Sequence, residues 1–261
     1  MQHNREEKIE ALGKVIDTLD ILRVKCPWDR KQTNQSLRPN TIEEVYELSD
    51  ALMHDDSKNI RKEIGDVLLH VLFYSKIGEE KGDFDIADVA NSLNEKLIFR
   101  HPHVFGTTEA SDAHQVELNW EQIKLKEKDG NKTVLSGVPN SLPSLIKAYR
   151  MQEKAANVGF DWEERSQVWD KFKEEISEFE AEAATMDHDR MESEMGDVLF
   201  SLINVARLYG IHPDDALERT NAKFKQRFNH IEQAAAKKGV KLKDMSLAEM
   251  DKLWNEAKQQ Q

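Results

Sequence analysis

The chain has 261 residues, enough for one large domain or two smaller ones. Its 37 Lys and Arg against 49 Asp and Glu give a net charge of −12, which disfavours nucleic acids and anionic membranes as partners. The longest apolar run, from Val67 to Tyr74, is too short to span a bilayer, and the N-terminal residues do not resemble a secretory signal. Cys26 is the only cysteine, so no intrachain disulfide can form, and we expect a soluble cytoplasmic protein.

Charged residues recur at helical spacing and only 11 Gly and 6 Pro are present, which predicts an all-α fold. The first helix is expected at residues 6–23, and the capping box Thr41-Ile42-Glu43-Glu44 predicts the start of the second. The apolar stripe of this second helix is expected to comprise Ile42, Val45, Leu48, Ala51 and Leu52. Further helices are expected at residues 57–80, from 85 to before Pro102, and at 113–128. His101-Pro102-His103 is interpreted as a loop, because we expect Pro102 to prevent a helix.

Residues 129–143 collect Gly and Pro between strongly helical segments, which is typical of a linker. We therefore predict an N-terminal domain at residues 1–130, a linker at 131–142 and a C-terminal domain at 143–261. In the second half, helices are expected at residues 144–157, 166–185, 189–209, 213–238 and 247–258.

An internal repeat relates the two halves at a constant shift of 131 residues. Its members are Glu43, Glu44, Glu47, Glu63, Gly65 and Asp66, which map onto Glu174, Glu175, Glu178, Glu194, Gly196 and Asp197. Two copies of over a hundred residues can each form a core, so the sequence predicts two tandem helical-bundle domains from an internal duplication.

The repeated acids predict a metal site in each copy. Residues three apart on a helix share a face, so two facing helices would bring four carboxylates together. The first copy supplies Glu44, Glu47, Glu63 and Asp66, and the second supplies Glu175, Glu178, Glu194 and Asp197. Such a cluster is ordinarily neutralised by a hard divalent cation, Mg²⁺ or Mn²⁺.

One acidic helix alone is more often a solvated surface, but solvated charges exchange freely, so their retention in both copies favours a functional site. Gly65 and Gly196 indicate either a close approach of another group or tight helix packing. Glu43 and Glu174 either join a second metal ion or only hold water.

Basic and aromatic residues follow the acids in both copies. The pairs Lys96 with Arg100 and Lys223 with Arg227 are spaced to clamp phosphates, unless they serve only solubility. Trp120 with Lys124 and Trp254 with Lys258 would add a stacking face and a cation, although a helical Trp is more often core. Together these groups indicate a polyphosphate ester site, with Glu174 or Glu175 orienting the attacking water.

The two acidic motifs resemble those of the all-α nucleoside triphosphate pyrophosphohydrolases, and the tandem arrangement resembles the MazG family. The motifs that carry the resemblance are Cys26-Pro27-Trp28-Asp29, His101-Pro102-His103-Val104-Phe105, Asn157-Val158-Gly159-Phe160-Asp161-Trp162 and Glu194-Met195-Gly196-Asp197. The resemblance implies Mg²⁺-dependent hydrolysis of (d)NTPs to monophosphate and pyrophosphate, homodimeric helical bundles, and a role in limiting aberrant nucleotides.

The resemblance also implies roles for individual residues. The second copy would be the main active site, with its four acids as metal ligands, Glu174, Glu175, Lys223 and Arg227 in catalysis, and Lys171, Glu175, Asp197, Lys223, Arg227, Trp254 and Lys258 on the nucleotide. The first copy keeps Glu44, Glu47, Glu63, Asp66, Lys96 and Arg100 as a second candidate site. It has Asn40 where the second copy has Lys171.

Other functions fit less well. A di-iron carboxylate bundle needs Glu-x-x-His, which the sequence lacks. His54-Asp55 and His188-Asp189 suggest an HD-type phosphohydrolase, but they are not repeat-equivalent. The alternative that stays open is a non-catalytic helical module for dimerisation or nucleotide binding.

Overall fold

A computed structural model describes residues 3–107, 116, 123 and 133–259, and it divides the chain into two compact units, Met1–Glu109 and Ala110–Gln261. The fold is all-α, as predicted, and contains no strand within the described residues. None of the helices in this described part combines the length and apolar character needed to cross a bilayer. The predicted helix at residues 113–128 lies outside the described residues except for two positions. The predicted linker and domain boundaries remain predictions.

Unit 1 is built around an antiparallel helix pair on which the N-terminal helix packs. Its elements are α1 (Arg5–Lys25), a 3-10 turn (Asp29–Lys31), α2 (Asn34–Met53), α3 (Ser57–Lys81), α4 (Ile86–Arg100) and the short α5 (Pro102–Phe105). Its core combines side chains of α1, α2 and α3, namely Leu19, Leu37, Leu72, Phe73 and Ile77.

Unit 2 contains an equivalent helix pair and a second pair at its C-terminal end. Its elements are a 3-10 turn (Leu135–Gly137), α6 (Ser144–Ala156), α7 (Arg165–Thr185), α8 (His188–Leu208), α9 (Pro213–Lys238), a 3-10 turn (Leu242–Asp244) and α10 (Leu247–Gln259). Helix α7 packs on α8, α6 packs on α8 and α9, and α9 packs on α10.

The two equivalent helix pairs, α2/α3 and α7/α8, reverse the chain in the same way. Each connection places one residue in the left-handed region, Asp55 at φ 50° and Met186 at φ 59°, and these positions are 131 residues apart. The next residue in each copy, Asp56 or Asp187, caps the following helix through its carboxylate. The internal repeat is therefore a repeat of a helical hairpin.

Two local predictions were wrong. Helix α2 begins at Asn34 and not at Thr41, because Thr33 and Ser36 cap each other reciprocally and the helix extends upstream to bury Leu37. Pro102 does not prevent a helix. It occupies the first position of α5, where the missing N–H has no helical partner to lose.

Arg23 on α1 forms an ion pair with α3 in unit 1. Its guanidinium donates to both carboxylate oxygens of Glu80, at 2.8 and 2.6 Å, and to the carbonyl oxygens of Asp29 and Gln32. It also lies 5.5 Å from the ring centroid of Phe73. The hydrogen bond from Arg23 lowers the pKa of Glu80, so the ionised pair stabilises the folded state.

We expect Glu80→Gln to lower the free energy of unfolding by about 1–2 kcal/mol at pH 7, since Arg23 is buried but Glu80 is partly exposed. The depressed pKa means that the stabilisation is present above the unfolded-state value of about 4.3 and is lost as pH falls through the folded-state value. Urea unfolding from pH 7 to pH 3 should therefore show parent and variant converging in acid. Glu10→Gln, which removes the exposed Glu10–Lys14 pair, is the matched control and should change little; an equal loss in both variants would contradict the assignment.

Candidate active site

In unit 2, the facing helices α7 and α8 bring three of the predicted carboxylates together. Oxygens of Glu175, Glu194 and Asp197 all lie within 4.8 Å of one another. We call this set the unit 2 trio. Glu175 is buried on α7, Glu194 is half-buried, and Asp197 is exposed on α8. The trio therefore opens to solvent on one side and rests on a buried carboxylate on the other.

Lys171 lies beside the unit 2 trio, one helical turn before Glu175. Its ammonium is 2.8 Å from a Glu175 oxygen and 3.0 Å from a Glu174 oxygen. Hydrogen bonds to these two carboxylates raise the pKa of Lys171 well above its usual value, so it stays charged. Glu178, the fourth predicted acid, lies outside the trio, and burial together with the charge of Glu175 raises its pKa.

Unit 1 contains the equivalent cluster, formed by oxygens of Glu44, Glu63 and Asp66 within 4.8 Å of one another. We call it the unit 1 trio. Its lysine comes from the other helix of the hairpin: Lys62 on α3 lies 2.9 Å from Glu63, 3.6 Å from Asp66 and 3.8 Å from Glu47. Burial, and then the neighbouring carboxylates, raise the pKa of Glu44.

The donor set of both trios fits a hard divalent cation, because it consists of carboxylate oxygens converging from two helices. In unit 1, Glu63 is only 5% exposed, and its Oε2 atom is buried without a hydrogen-bond partner among the described residues. A buried carboxylate oxygen left unpaired is costly, and a bound cation would satisfy it. The acidic clusters therefore could hold metal.

The predicted basic residues lie apart from the trios. Lys223 is exposed on α9, and Arg227 lies 5.4 Å from the ring of Trp254, which also packs against Phe224. Lys258 is exposed on α10. None of these four predicted contacts lines the cavity beside the unit 2 trio.

In unit 1, Lys96 is exposed and Arg100 half-buried on α4, and no contact of Lys96 with the unit 1 trio is found within the described residues. Trp120 and Lys124 lie outside the described residues. The Cβ atoms that would be added at Gly65 and Gly196 meet nothing within 4 Å there, so packing within the described chain does not require either glycine.

A cavity of about 520 Å³ adjoins the unit 2 trio, a size typical of small-molecule sites. Lys171, Glu175 and Asp197 form its acidic end. The rest of the wall is mainly apolar, with a few polar groups, and comprises Leu135, Met151, Gln152, Ala155, Phe160, Asp161, Trp162, Val168, Phe200, Ser201, Asn204 and Arg207. The cavity thus joins an acidic end, which could hold a cation, to a chamber with mainly apolar walls.

An ion pair holds the segment between α6 and α7 that carries Phe160 and Trp162. Both terminal nitrogens of Arg207 on α8 donate to the carboxylate of Asp161, one of them at 3.1 Å. Burial alone would raise the pKa of Asp161, but hydrogen bonds from Arg207 and from the Trp162 N–H outweigh burial and lower it. The aromatic wall of the cavity is therefore fixed to α8.

The repeat explains why unit 1 differs at this place. Ser201 and Asn204, which line the cavity, correspond to His70 and Phe73 at the constant shift of 131 residues. In unit 1 both larger side chains are buried, and Phe73 is part of the core with 2% exposure. The chamber of unit 2 thus depends on two smaller side chains at positions that unit 1 fills.

Sequence reasoning missed Lys62, Gln152 and Asn204. The repeat carried a signal for two of them, since position 62 is Ser193 in the second copy and Asn204 replaces a phenylalanine. Gln152 lies before the clearest part of the repeat and carried no signal.

Comparison with known proteins agrees with this architecture. The model of the MazG nucleotide pyrophosphohydrolase domain matches the chain twice, at residues 32–105 and 165–232. The chain belongs to this family. The MazG family consists of metal-dependent hydrolases that act on acid anhydrides, and the predicted tandem arrangement of its domain is confirmed.

Two relatives align over nearly all of their length. The nucleoside triphosphate pyrophosphohydrolase of Escherichia coli is 40% identical over 97% of this chain and 98% of its own. The nucleoside triphosphate pyrophosphohydrolase/pyrophosphatase MazG of Thermotoga maritima is 42% identical over 89% of both chains. The uncharacterised protein YabN of Bacillus subtilis is 50% identical over 90% of this chain, which spans 48% of that longer protein.

The ammonium of Lys62 lies beside the unit 1 trio, next to Glu63 and Asp66, so its removal should strengthen the binding of a divalent cation there. In a Glu175→Gln background, which weakens the unit 2 trio, we expect Lys62→Ser to raise the affinity for Mn²⁺ about 3- to 10-fold, measured by electron paramagnetic resonance titration. Serine is the residue at the equivalent position, 193. Lys58→Ser on the same helix is the control, and equal Mn²⁺ affinity in all three proteins would refute the role of Lys62.

Proposed function

We propose that the chain hydrolyses nucleoside triphosphates and deoxynucleoside triphosphates, ATP among them, to the monophosphate and pyrophosphate, and that unit 2 contains the main active site. The decisive observation is the cavity that begins at the unit 2 trio and continues into an apolar chamber. Its two ends match the two ends of a nucleotide. The names of the relatives from E. coli and T. maritima support the same reaction.

The proposed metal is Mg²⁺, with Mn²⁺ as a substitute, held by Glu175, Glu194 and Asp197 and joined by Glu178. When bound, it would neutralise the trio and polarise the phosphate oxygens. Glu178 would need to reorient, since it lies outside the trio. Burial fixes Glu175, so the pocket-facing carboxylate is preorganised.

The proposed reaction breaks one phosphoanhydride bond. A water oxygen attacks phosphorus at the α–β linkage, the bridging oxygen leaves with its electron pair, and the water proton passes to a carboxylate. Glu174 is the more accessible base, because its side chain is 56% exposed whereas that of Glu175 is 10% exposed. Lys171 is positioned to exchange its contacts with Glu174 and Glu175 for phosphate oxygens.

The remaining basic residues are proposed to bind the outer phosphates. Lys223 and Arg227 share one face of α9, and Trp254 holds the guanidinium of Arg227 from α10. Lys258 follows on α10. Because none of them lines the cavity, their contribution requires them to approach a bound nucleotide, and they are assigned to phosphate binding and not to the chamber.

We also propose a homodimer in the cytoplasm that limits aberrant or excess nucleotides. Large apolar side chains are exposed on the helices of both units in the described residues, including Ile42, Val45, Leu199 and Leu202. Two of these, Ile42 and Val45, belong to the stripe predicted on α2 and are exposed within unit 1, whereas Ala51 of the same stripe is buried. Exposed apolar faces of this kind mark interfaces.

Pyrophosphate release from a panel of NTPs and dNTPs with Mg²⁺ tests the reaction and the site. We expect the parent to release pyrophosphate and Glu175→Gln to reduce turnover by about 100-fold or more, since it removes a preorganised charge from the trio. Glu44→Gln makes the same change in unit 1 and is the matched control, with turnover largely unchanged.

The products distinguish the alternatives. Release of orthophosphate would exclude the proposed bond cleavage, and full activity of Glu175→Gln would exclude unit 2 as the main site. Nucleotide binding without any product would favour the non-catalytic helical module.

Light scattering coupled to gel filtration should give twice the chain mass of 30.2 kDa. A charge on the exposed stripe, Val45→Glu, should shift the mass toward that of the monomer, because burying an unpaired carboxylate at an interface is unfavourable. Lys58→Glu adds a charge elsewhere in unit 1 and is the control. A parent that remains monomeric at all concentrations would contradict the dimer.

A further inference from the structure

One buried polar side chain in the chamber has no assigned task. Gln152 on α6 lines the cavity and is 7% exposed. Its Nε2 atom donates a hydrogen bond to the main-chain carbonyl oxygen of Phe200, at 2.8 Å. Its Oε1 atom is buried and has no hydrogen-bond partner among the described residues.

The contact with Phe200 determines which end of the amide is available. A main-chain carbonyl oxygen can only accept, so the amide nitrogen must face Phe200 and the amide oxygen must be the group left over. The amide oxygen of Gln152 is therefore a buried acceptor with a fixed orientation, on a side chain that lines the cavity. Leaving such an acceptor buried and unpaired is unfavourable, and a ligand that brings a donor removes this cost.

The surroundings of Gln152 indicate the kind of donor. Phe160, Trp162 and Phe200 supply aromatic surface, and Met151 and Val168 supply apolar surface. Neither a phosphate nor a fully ionised group gains from such a wall, and the acidic end of the cavity is formed by other residues. A flat heterocycle with an N–H at its edge satisfies both the aromatic wall and the free acceptor.

We propose that Gln152 recognises the nucleobase, by accepting a hydrogen bond from an N–H group on the base edge while the triphosphate lies at the unit 2 trio. The donor is the exocyclic amino group of adenine or cytosine, or the ring N–H of guanine, uracil or thymine. This assignment rests on the proposed function. It makes Gln152 a base-binding residue, distinct from the groups that act on the phosphates.

Unit 1 supports the assignment through the repeat. The polar amide of Asn204, which lines the same cavity as Gln152, is replaced by the buried ring of Phe73, and Ser201 is replaced by His70. A site that bound phosphate alone would not need this space. Among the described residues, unit 1 thus places buried His70 and Phe73 at the positions that line the chamber in the copy that carries Gln152.

Base analogues whose donor is blocked test the proposal in the full-length protein with Mg²⁺. ATP is compared with N6,N6-dimethyl-ATP, and UTP with 3-methyl-UTP, and the pair with the better parent substrate is used. We expect the parent to prefer the unblocked nucleotide by about 10- to 100-fold in kcat/KM, because the blocked one leaves the acceptor unpaired.

Gln152→Met keeps the length of the side chain but removes its hydrogen-bonding groups. The ratio of kcat/KM for the unblocked nucleotide to that for the blocked one should therefore approach one. Comparing parent and Gln152→Met with both nucleotides separates the effect of the hydrogen bond from any steric effect of the methyl groups, since a steric effect would persist in the variant. The inhibition constant of tripolyphosphate, which has no base, should not change. Gln233→Met, at an exposed position on α9, should keep the parent preference.

The failures are distinguishable. Undiminished discrimination by Gln152→Met, or no discrimination by an active parent, overturns the role of Gln152 and leaves the proposed function standing. If Gln152→Met both weakens inhibition by tripolyphosphate and lowers the melting temperature, Gln152 has a structural role instead. A parent that releases no pyrophosphate from any nucleotide overturns the proposed function, and the assignment of Gln152 falls with it.

Discussion

In each unit, negatively charged side chains converge across a helical hairpin, and their mutual repulsion is the main constraint on the candidate site. In both hairpins, one carboxylate from the first helix meets two from the second, with their oxygens within 4.8 Å. Three carboxylates this close repel one another unless a cation is present, and in unit 1 this repulsion adds to burial in raising the pKa of Glu44. The protein places a lysine at each trio, but from opposite helices: Lys171 on α7 and Lys62 on α3.

The two copies therefore differ more in which helix carries the lysine than in their acidic residues. Lys62 contacts Glu47, Glu63 and Asp66, so it spans both helices and closes the unit 1 trio. Among the described residues, Lys171 contacts acids of its own helix and not Glu194 or Asp197. Since the acids are the same in both copies, the difference between the two trios arises from the position of the neighbouring lysine. The space of the unit 2 chamber depends instead on Asn204, where unit 1 has the larger Phe73.

Helical periodicity and the repeat predicted most of the fold, because the bounds of a helix depend mainly on residues that are close in sequence. Helix α9 has its predicted bounds, Pro213–Lys238, and α3 ends within one residue of its prediction. The start of α2 was mispredicted because two capping signals, at Thr33 and Thr41, compete locally, and the burial of Leu37 decides between them. The trios followed from spacing, whereas the cavity and the free oxygen of Gln152 depend on contacts between α6 and α8 that no spacing encodes.

Charge also limits how a nucleotide can enter unit 2. The acidic end of the cavity presents Glu175 and Asp197, with Glu174 and Glu194 close by, against the single positive charge of Lys171. A triphosphate brings several more negative charges, so it would be repelled from this end by itself. In the proposed function, a divalent cation would remove the repulsion on both sides at once, and the apolar chamber would hold the base independently of charge. The proposed function therefore couples the binding of cation and nucleotide through the same repulsion that would be relieved by a cation at the trio.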